Sequence, residues 1–264
     1  MKLLNLGCGS RFHKDWTNVD FITHSNLVIQ ADLTLGIPFK NNTFDVVYHS
    51  HVLEHFSKKD GVSFIKECAR VLKKSGVIRI AVPDLEKIVV EYLKQLNLAA
   101  NGKQEASAQY EWIVLELLDQ ITRTNFGGLI KEYLYSENVS NENYVLQRIG
   151  NEGAAIRNSY LNASKNLRPR LSFKKRFIYP VLKFIFGKNF DYWQLGKYRS
   201  IGEVHLWMYD RYAIEKLLIE SGFGDVKIMS AFDSKIPSWS SYELDGKNDT
   251  VFKPDSLFVE AIKK

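Results

Sequence analysis

Cysteine is nearly absent: the 264 residues hold two, Cys8 and Cys68. Two thiols cannot build a disulfide framework, so the chain must fold on its apolar core, and both are expected to be reduced. Long apolar runs are missing too. Nowhere do the roughly 20 apolar residues of a membrane-spanning helix follow one another. No secretion signal is expected, because an apolar strand already begins at Leu3. Neither sign of charge dominates: 36 Lys and Arg face 30 Asp and Glu, a net +6. That balance permits an anionic partner without requiring one. No nucleic-acid recognition module is legible, so no nucleic acid is expected as partner. A cytoplasmic protein is the reading these absences favour. With 45% apolar and 25% charged residues, composition is that of an ordinary globular chain. The length suits one large α/β domain or two small ones.

What is present begins with Leu3-Leu4-Asn5-Leu6-Gly7-Cys8-Gly9-Ser10, a buried strand running into a two-glycine turn. Such a turn lets backbone approach a nucleotide at the end of the first strand of a doubly wound sheet. The dinucleotide fingerprint wants a third small residue where Phe12 stands, which speaks against NAD. Thr17-Asn18-Val19-Asp20 puts a carboxylate at the end of a second strand, where two acceptor oxygens suit a ribose diol. Leu27 to Leu33 reads as a third strand ending in Asp32, and Asn42 to His51 as a fourth. An amphipathic helix follows over about 60–74, with Lys73 and Lys74 in its last turn, and then a strand over Val77–Val82.

The series Leu-Asn-Leu-Gly-Cys-Gly, Asn-Val-Asp, Ala-Asp-Leu, Phe-Asp-Val-Val-Tyr, His-Val-Leu-Glu-His, Arg-Val-Leu-Lys and Gly-Val-Ile-Arg-Ile-Ala-Val-Pro-Asp-Leu spans residues 3–85. In that order it resembles a class I S-adenosylmethionine (SAM) dependent methyltransferase. His205 to Asp210 and Lys253 to Ala261 further resemble predicted methyltransferases of surface-polysaccharide gene clusters. The resemblance implies an α/β fold: a Rossmann-like, doubly wound, mainly parallel seven-stranded sheet with an antiparallel last strand. One domain is expected, its core in 1–85 and 204–264, with a helical insertion over about 86–203 capping the pocket. Only Ser10 to Val19 separate Gly9 from Asp20. The usual first helix must therefore shrink to a turn, unless Arg11, Phe12 and Trp16 fold over that flank.

The resemblance also assigns residues. Gly7, Cys8 and Gly9 would meet the amino-acid end of SAM through backbone, Asp20 its ribose hydroxyls, and Asp32 and Leu33 its adenine. His51 would lie by the methionine end and the substrate, and Asn5, Phe21 and Ser50 complete the cofactor-binding set. His205 and His51 are the candidate general bases, since histidine moves protons near neutral pH. His49 reads as structural. Some similar methyltransferases bind a divalent ion through a Glu-x-x-Glu-His stretch; His51-x-x-Glu54-His55 resembles it with His as the first ligand, but no fourth ligand is identifiable and no metal is expected. In the insertion Trp112, Glu116, Asp119, Gln120 and Arg123 share a helical face. Acids and an amide beside an indole suit a sugar, and equally an ordinary half-buried helix. Tyr209 joins Trp112, Glu116 and Arg123 as a substrate candidate.

From Leu167 to Phe190 seven Lys and Arg interleave with large apolar residues, and no acid appears. That pattern fits a packed helix with a solvated basic face, or peripheral contact with the inner face of a membrane. The implied activity is O-methylation of a sugar or glycolipid intermediate of surface-polysaccharide synthesis. The alternatives are a small aromatic or lipid acceptor, or a non-catalytic SAM-binding scaffold protein. The oligomeric state is not legible.

Overall fold

β1 (Leu3–Leu6) is wholly buried. Its one polar residue, Asn5, has its amide satisfied, donating to the Arg11 carbonyl at 3.1 Å and to Asn18 Oδ1 at 3.3 Å. This strand stands mid-sheet in a computed structural model that describes residues 1–23, 25–163, 177–200 and 202–264. β2 (Thr17–Asp20) and β3 (Val28–Gln30) add in parallel on one side of it. β4 (Phe44–Ser50) and β5 (Leu72–Pro83) add in parallel on the other. β6 (Phe223–Met229) and the last strand complete the order β3-β2-β1-β4-β5-β7-β6, where β7 (Ser256–Lys263) runs antiparallel to both neighbours. Strand order reverses between β1 and β4, so the carboxyl ends of these two strands open a crevice.

Two helices cover one face. α1 (Lys58–Val71) starts at Ser57, which accepts the Asp60 N–H, and buries Phe64, Ile65, Cys68 and Val71. It stops before the expected Lys73 and Lys74, because Leu72 is already extended and Lys73 pairs with Asp45 at 2.7 Å. α8 (Arg211–Glu220) is capped by Asp210 and buries Ile214, Leu217 and Leu218. On the other face Trp16, Tyr48, Trp239 and Tyr242 meet edge to face. There Arg79, wholly buried, holds Asp245 and Glu260 at 2.8 Å each and straps the 230–245 loop to the sheet.

Residues 7–16 form turns and no helix. Trp16 is spent in the aromatic cluster and does not cover the crevice. Arg11 does line it, with its guanidinium over the Phe252 ring at 4.6 Å.

Between β5 and α8 lie α2 (Leu85–Ala100), α3 (Gln104–Thr122), α4 (Gly128–Leu134), α5 (Glu142–Ala163), α6 (Tyr179–Phe186) and α7 (Lys188–Arg199). Trp112, Leu134 and Val145 make a small core of their own. α5 kinks at Gly150, φ 62°. A Cβ there would come within 2.6 Å of the Phe252 carbonyl, so glycine alone lets the helix close on the 252–255 loop. None of the helices among the described residues is long and apolar enough to cross a membrane. Of the basic run 167–190, residues 167–176 lie outside the described residues, as does His24.

Candidate active site

At the carboxyl ends of β1 and β4 is a cavity of about 450 Å³, lined by Asn5, Gly7, Cys8, Gly9, Ser50 and His51 among others. Gly7 has φ 62°, and a Cβ on it would sit 2.3 Å from Val52 Cγ2. Gly9 has φ 53° and open space where a Cβ would be. Its N–H donates to Asp20 Oδ2 at 2.7 Å, while Asp20 Oδ1 accepts the Ile22 N–H at 3.1 Å. The carboxylate therefore closes over the glycine turn. Phe21 and Ile22, which follow Asp20 directly, are exposed apolar surface. The glycine cradle, the strand-end carboxylate and this surface fit a nucleoside with an amino-acid tail. Burial first, and then Asp20, push the Cys8 thiol up to about 12, so it stays protonated and contributes no nucleophile.

A second cavity of about 330 Å³ lies under α3 and α5. Glu54, His55, Glu116, Arg123, His205 and Asp255 supply polar groups to its wall, while Ile88, Ile130, Ile149 and Ile156 supply apolar ones. His51 and Lys253 line both cavities. His51 has φ 54°, unusual for a residue with a side chain, and its N–H donates to the Ala81 carbonyl at 2.9 Å. One imidazole nitrogen, Nε2, is 2.9 Å from Ser256 Oγ; the other, Nδ1, is 3.1 Å from Glu54 Oε1.

Glu54 is the charge centre here. It is wholly buried, and neither oxygen takes a well-aligned hydrogen bond among the described residues. Burial alone would raise its pKa, but the imidazoles of His51, His205 and His55 outweigh that and hold it well below the usual range. Its backbone carbonyl accepts the Leu206 and Trp207 N–H groups at 2.7 and 3.2 Å. That contact brings His205 beside it, with Nε2 at 4.0 Å from Oε1. The His205 N–H in turn donates to the Gln120 carbonyl of α3 at 3.0 Å. Burial drives His205 down to about 3, so it is neutral at physiological pH. The donor atoms of Glu54, His55 and His205 all lie within 4.8 Å of one another, a set that could hold a metal ion.

On the cap side, Glu116 accepts from Trp112 Nε1 and Arg148 Nε, both at 3.0 Å. Arg123 pairs with Asp119 at 2.6 Å.

Most expected residues meet at these two cavities. Asn5, Gly7, Cys8, Gly9, Ser50 and His51 line the first, with Asp20 bonded to its rim; His51, Glu116, Arg123 and His205 line the second. Five others line neither. Trp112 is wholly buried in the cap, its N–H taken by Glu116, so it offers no face to a sugar. Tyr209 is buried in the main core. Phe21 stands exposed outside both cavities. Asp32 caps the single turn Leu33–Leu35, accepting from Thr34 N and Oγ1 at 2.9 and 2.6 Å. Leu33 lines a separate hollow against α1. Missed were Lys253, Asp255, Ser256 and Arg148. The first three form a polar cluster directly before an apolar strand, which is the signal that marks them.

Residues 12–80 match the family of methyltransferase domains. Residues 12–80 thus carry a SAM-dependent methyltransferase domain. Its cofactor is SAM, in keeping with the cradle described above. No curated protein matches the chain. Among solved structures, this methyltransferase is similar to one from Thermotoga maritima described as a possible histamine N-methyltransferase. That pair is 12% identical with a TM-score of 0.40, over 100% of this chain and 82% of the other. A SAM-dependent methyltransferase from Archaeoglobus fulgidus is 13% identical with a TM-score of 0.39, over 99% and 86% of the two chains. Similarity of this size says nothing about acceptor or mechanism.

Proposed function

We propose that this methyltransferase methylates a hydroxyl of a sugar or glycolipid intermediate in surface-polysaccharide synthesis. The observation that carries a hydroxyl acceptor is the position of His51. It lines both cavities and has one nitrogen against a buried carboxylate. When bound, SAM supplies an electrophilic methyl group. His51 supplies the base. With Nδ1–H directed at Glu54, Nε2 keeps a lone pair, which Ser256 Oγ meets at 2.9 Å. An acceptor hydroxyl gives its proton to that nitrogen as it is methylated, and Glu54 stabilises the imidazolium formed. His205, held neutral by burial, is the weaker base and acts in packing the cap on Glu54.

A sugar ring offers several hydroxyls and an apolar face. The second cavity offers acids, Arg123 and aliphatic side chains in the same space. The polysaccharide setting rests on the resemblance of 205–210 and 253–261. On this reading the protein works in the cytoplasm, at the inner face of a membrane where lipid-linked sugars are built. Labelled methyl transfer tests it, with a panel of nucleotide sugars, lipid-linked glycans and small aromatics as acceptors. Label in a glycan that disappears in His51→Ala is the expected result. Label in an aromatic alone transfers the reading to that acceptor class. SAM binding with no transfer to any acceptor replaces it with a scaffold role.

A further inference from the structure

We infer that the hairpin of α6 and α7 is a lipid-binding element that seats the enzyme on an anionic membrane surface through the apolar face of α6. The inference rests on the glycolipid reading and names the surface that would serve it. α6 reads Tyr-Pro-Val-Leu-Lys-Phe-Ile-Phe and has no buried residue. Phe184 is 91% exposed, and Val181, Ile185 and Phe186 are each more than half exposed. An apolar helix in solution hides such a face against its own core. Here α6 instead packs on α7, through Tyr179 edge to face with Phe190. Trp193 stacks on Phe190 and stays half exposed, which extends the apolar surface.

Charge selects the occupant. The sequence over 167–190 holds seven Lys and Arg and no acid. Of these, Lys183 and Lys188 are among the described residues and stand exposed, Lys183 in an ion pair with Asp191 of α7 at 3.0 Å. Large aromatics bordered by cations are the composition of an interfacial helix, whose rings sit among headgroups while the cations meet anionic lipid. A second copy of the chain would set the same cations against each other across a two-fold contact. The hairpin is also tied to the acceptor cavity. Tyr198 of α7 is buried against Phe126, Arg199 Nη1 donates to the Ile121 carbonyl at 3.3 Å, and Glu203 and His205 line the cavity a few residues on. A membrane bound at α6 therefore lies at the start of a short tether to the acceptor site.

The test is flotation of the full chain with phosphatidylcholine vesicles, with and without phosphatidylglycerol. Wild type should float with the anionic vesicles only and release at high salt. Phe184→Ser with Ile185→Ser should lower recovery about tenfold or more, and Lys183→Gln with Lys188→Gln severalfold. Equal recovery of wild type and the Phe184/Ile185 variant would overturn the inference. So would a dimer, seen by sedimentation, that needs those same residues, or binding to an acidic protein without binding to vesicles. SAM titration of the same variants separates this from the enzymatic reading: α6 touches neither cavity, so SAM binding should be unchanged whichever way flotation falls.

Discussion

Nδ1 of His51 stands 3.1 Å from Oε1 of Glu54, a carboxylate with no exposure to solvent. A buried anion is tolerated where a cation can form beside it. The pair thus prepares His51 to accept a proton, and it does so at the boundary of two cavities. His51→Gln should retain SAM binding and lose about 10²–10⁴ in kcat, the usual worth of a positioned base. Glu54→Gln should lose less than His51→Gln, but still about tenfold or more in kcat. Wild-type kcat in Glu54→Gln would remove Glu54 from this role. Turnover should survive exhaustive chelation.

Stability should fall with acid through two buried histidines. His49 is held at about 4 and His205 at about 3, both by burial first, against an ordinary 6.5. Below 6.5 the unfolded chain takes up protons that the folded chain refuses, so stability is lost as pH falls. For His49 the loss by pH 4 is at most roughly 3 kcal/mol. Neither nitrogen of His49 has a hydrogen-bond partner among the described residues. His49→Leu should therefore be no less stable near neutrality and flatter towards acid in urea melts at several pH values.

Gly7 and Gly9 should fail in different ways. In Gly7→Ala the Cβ meets Val52, so thermal stability should drop. In Gly9→Ala the Cβ enters open space. The strain of a positive φ costs about 1–2 kcal/mol, and the main loss should be SAM affinity. Equal melting temperatures for the two variants would contradict this difference.

Arg79 joins segments far apart in the chain. Arg79→Met strands Asp245 and Glu260 in the interior, and a cost of about 3–5 kcal/mol is expected. Restoring neutrality with Asp245→Asn and Glu260→Gln should recover part of it in thermal melts.

Much of this was legible in the sequence because local order decided it. The apolar strands, the glycine turn and the carboxylate of Asp20 all follow from residues within a few positions of one another. Trp112 was not legible. Periodicity places it on a face with Glu116 and Arg123, but whether that face meets a cavity or a second helix depends on α4 and α5. Tyr209 failed likewise, drawn into the main core by packing. The centrality of Glu54 needed the turn after β4 to meet Leu206 and Trp207, some 150 residues away. The exposure of α6 was hidden too, since an apolar run with helical spacing ordinarily reads as buried.

The most direct measurement is a calorimetric titration of the purified chain with SAM and with its demethylated product, beside Asp20→Ala. Saturable one-to-one binding of both ligands, weakened about tenfold or more in the variant, is the predicted result. Absence of binding, or equal affinity in Asp20→Ala, would contradict the site at the ends of β1 and β2.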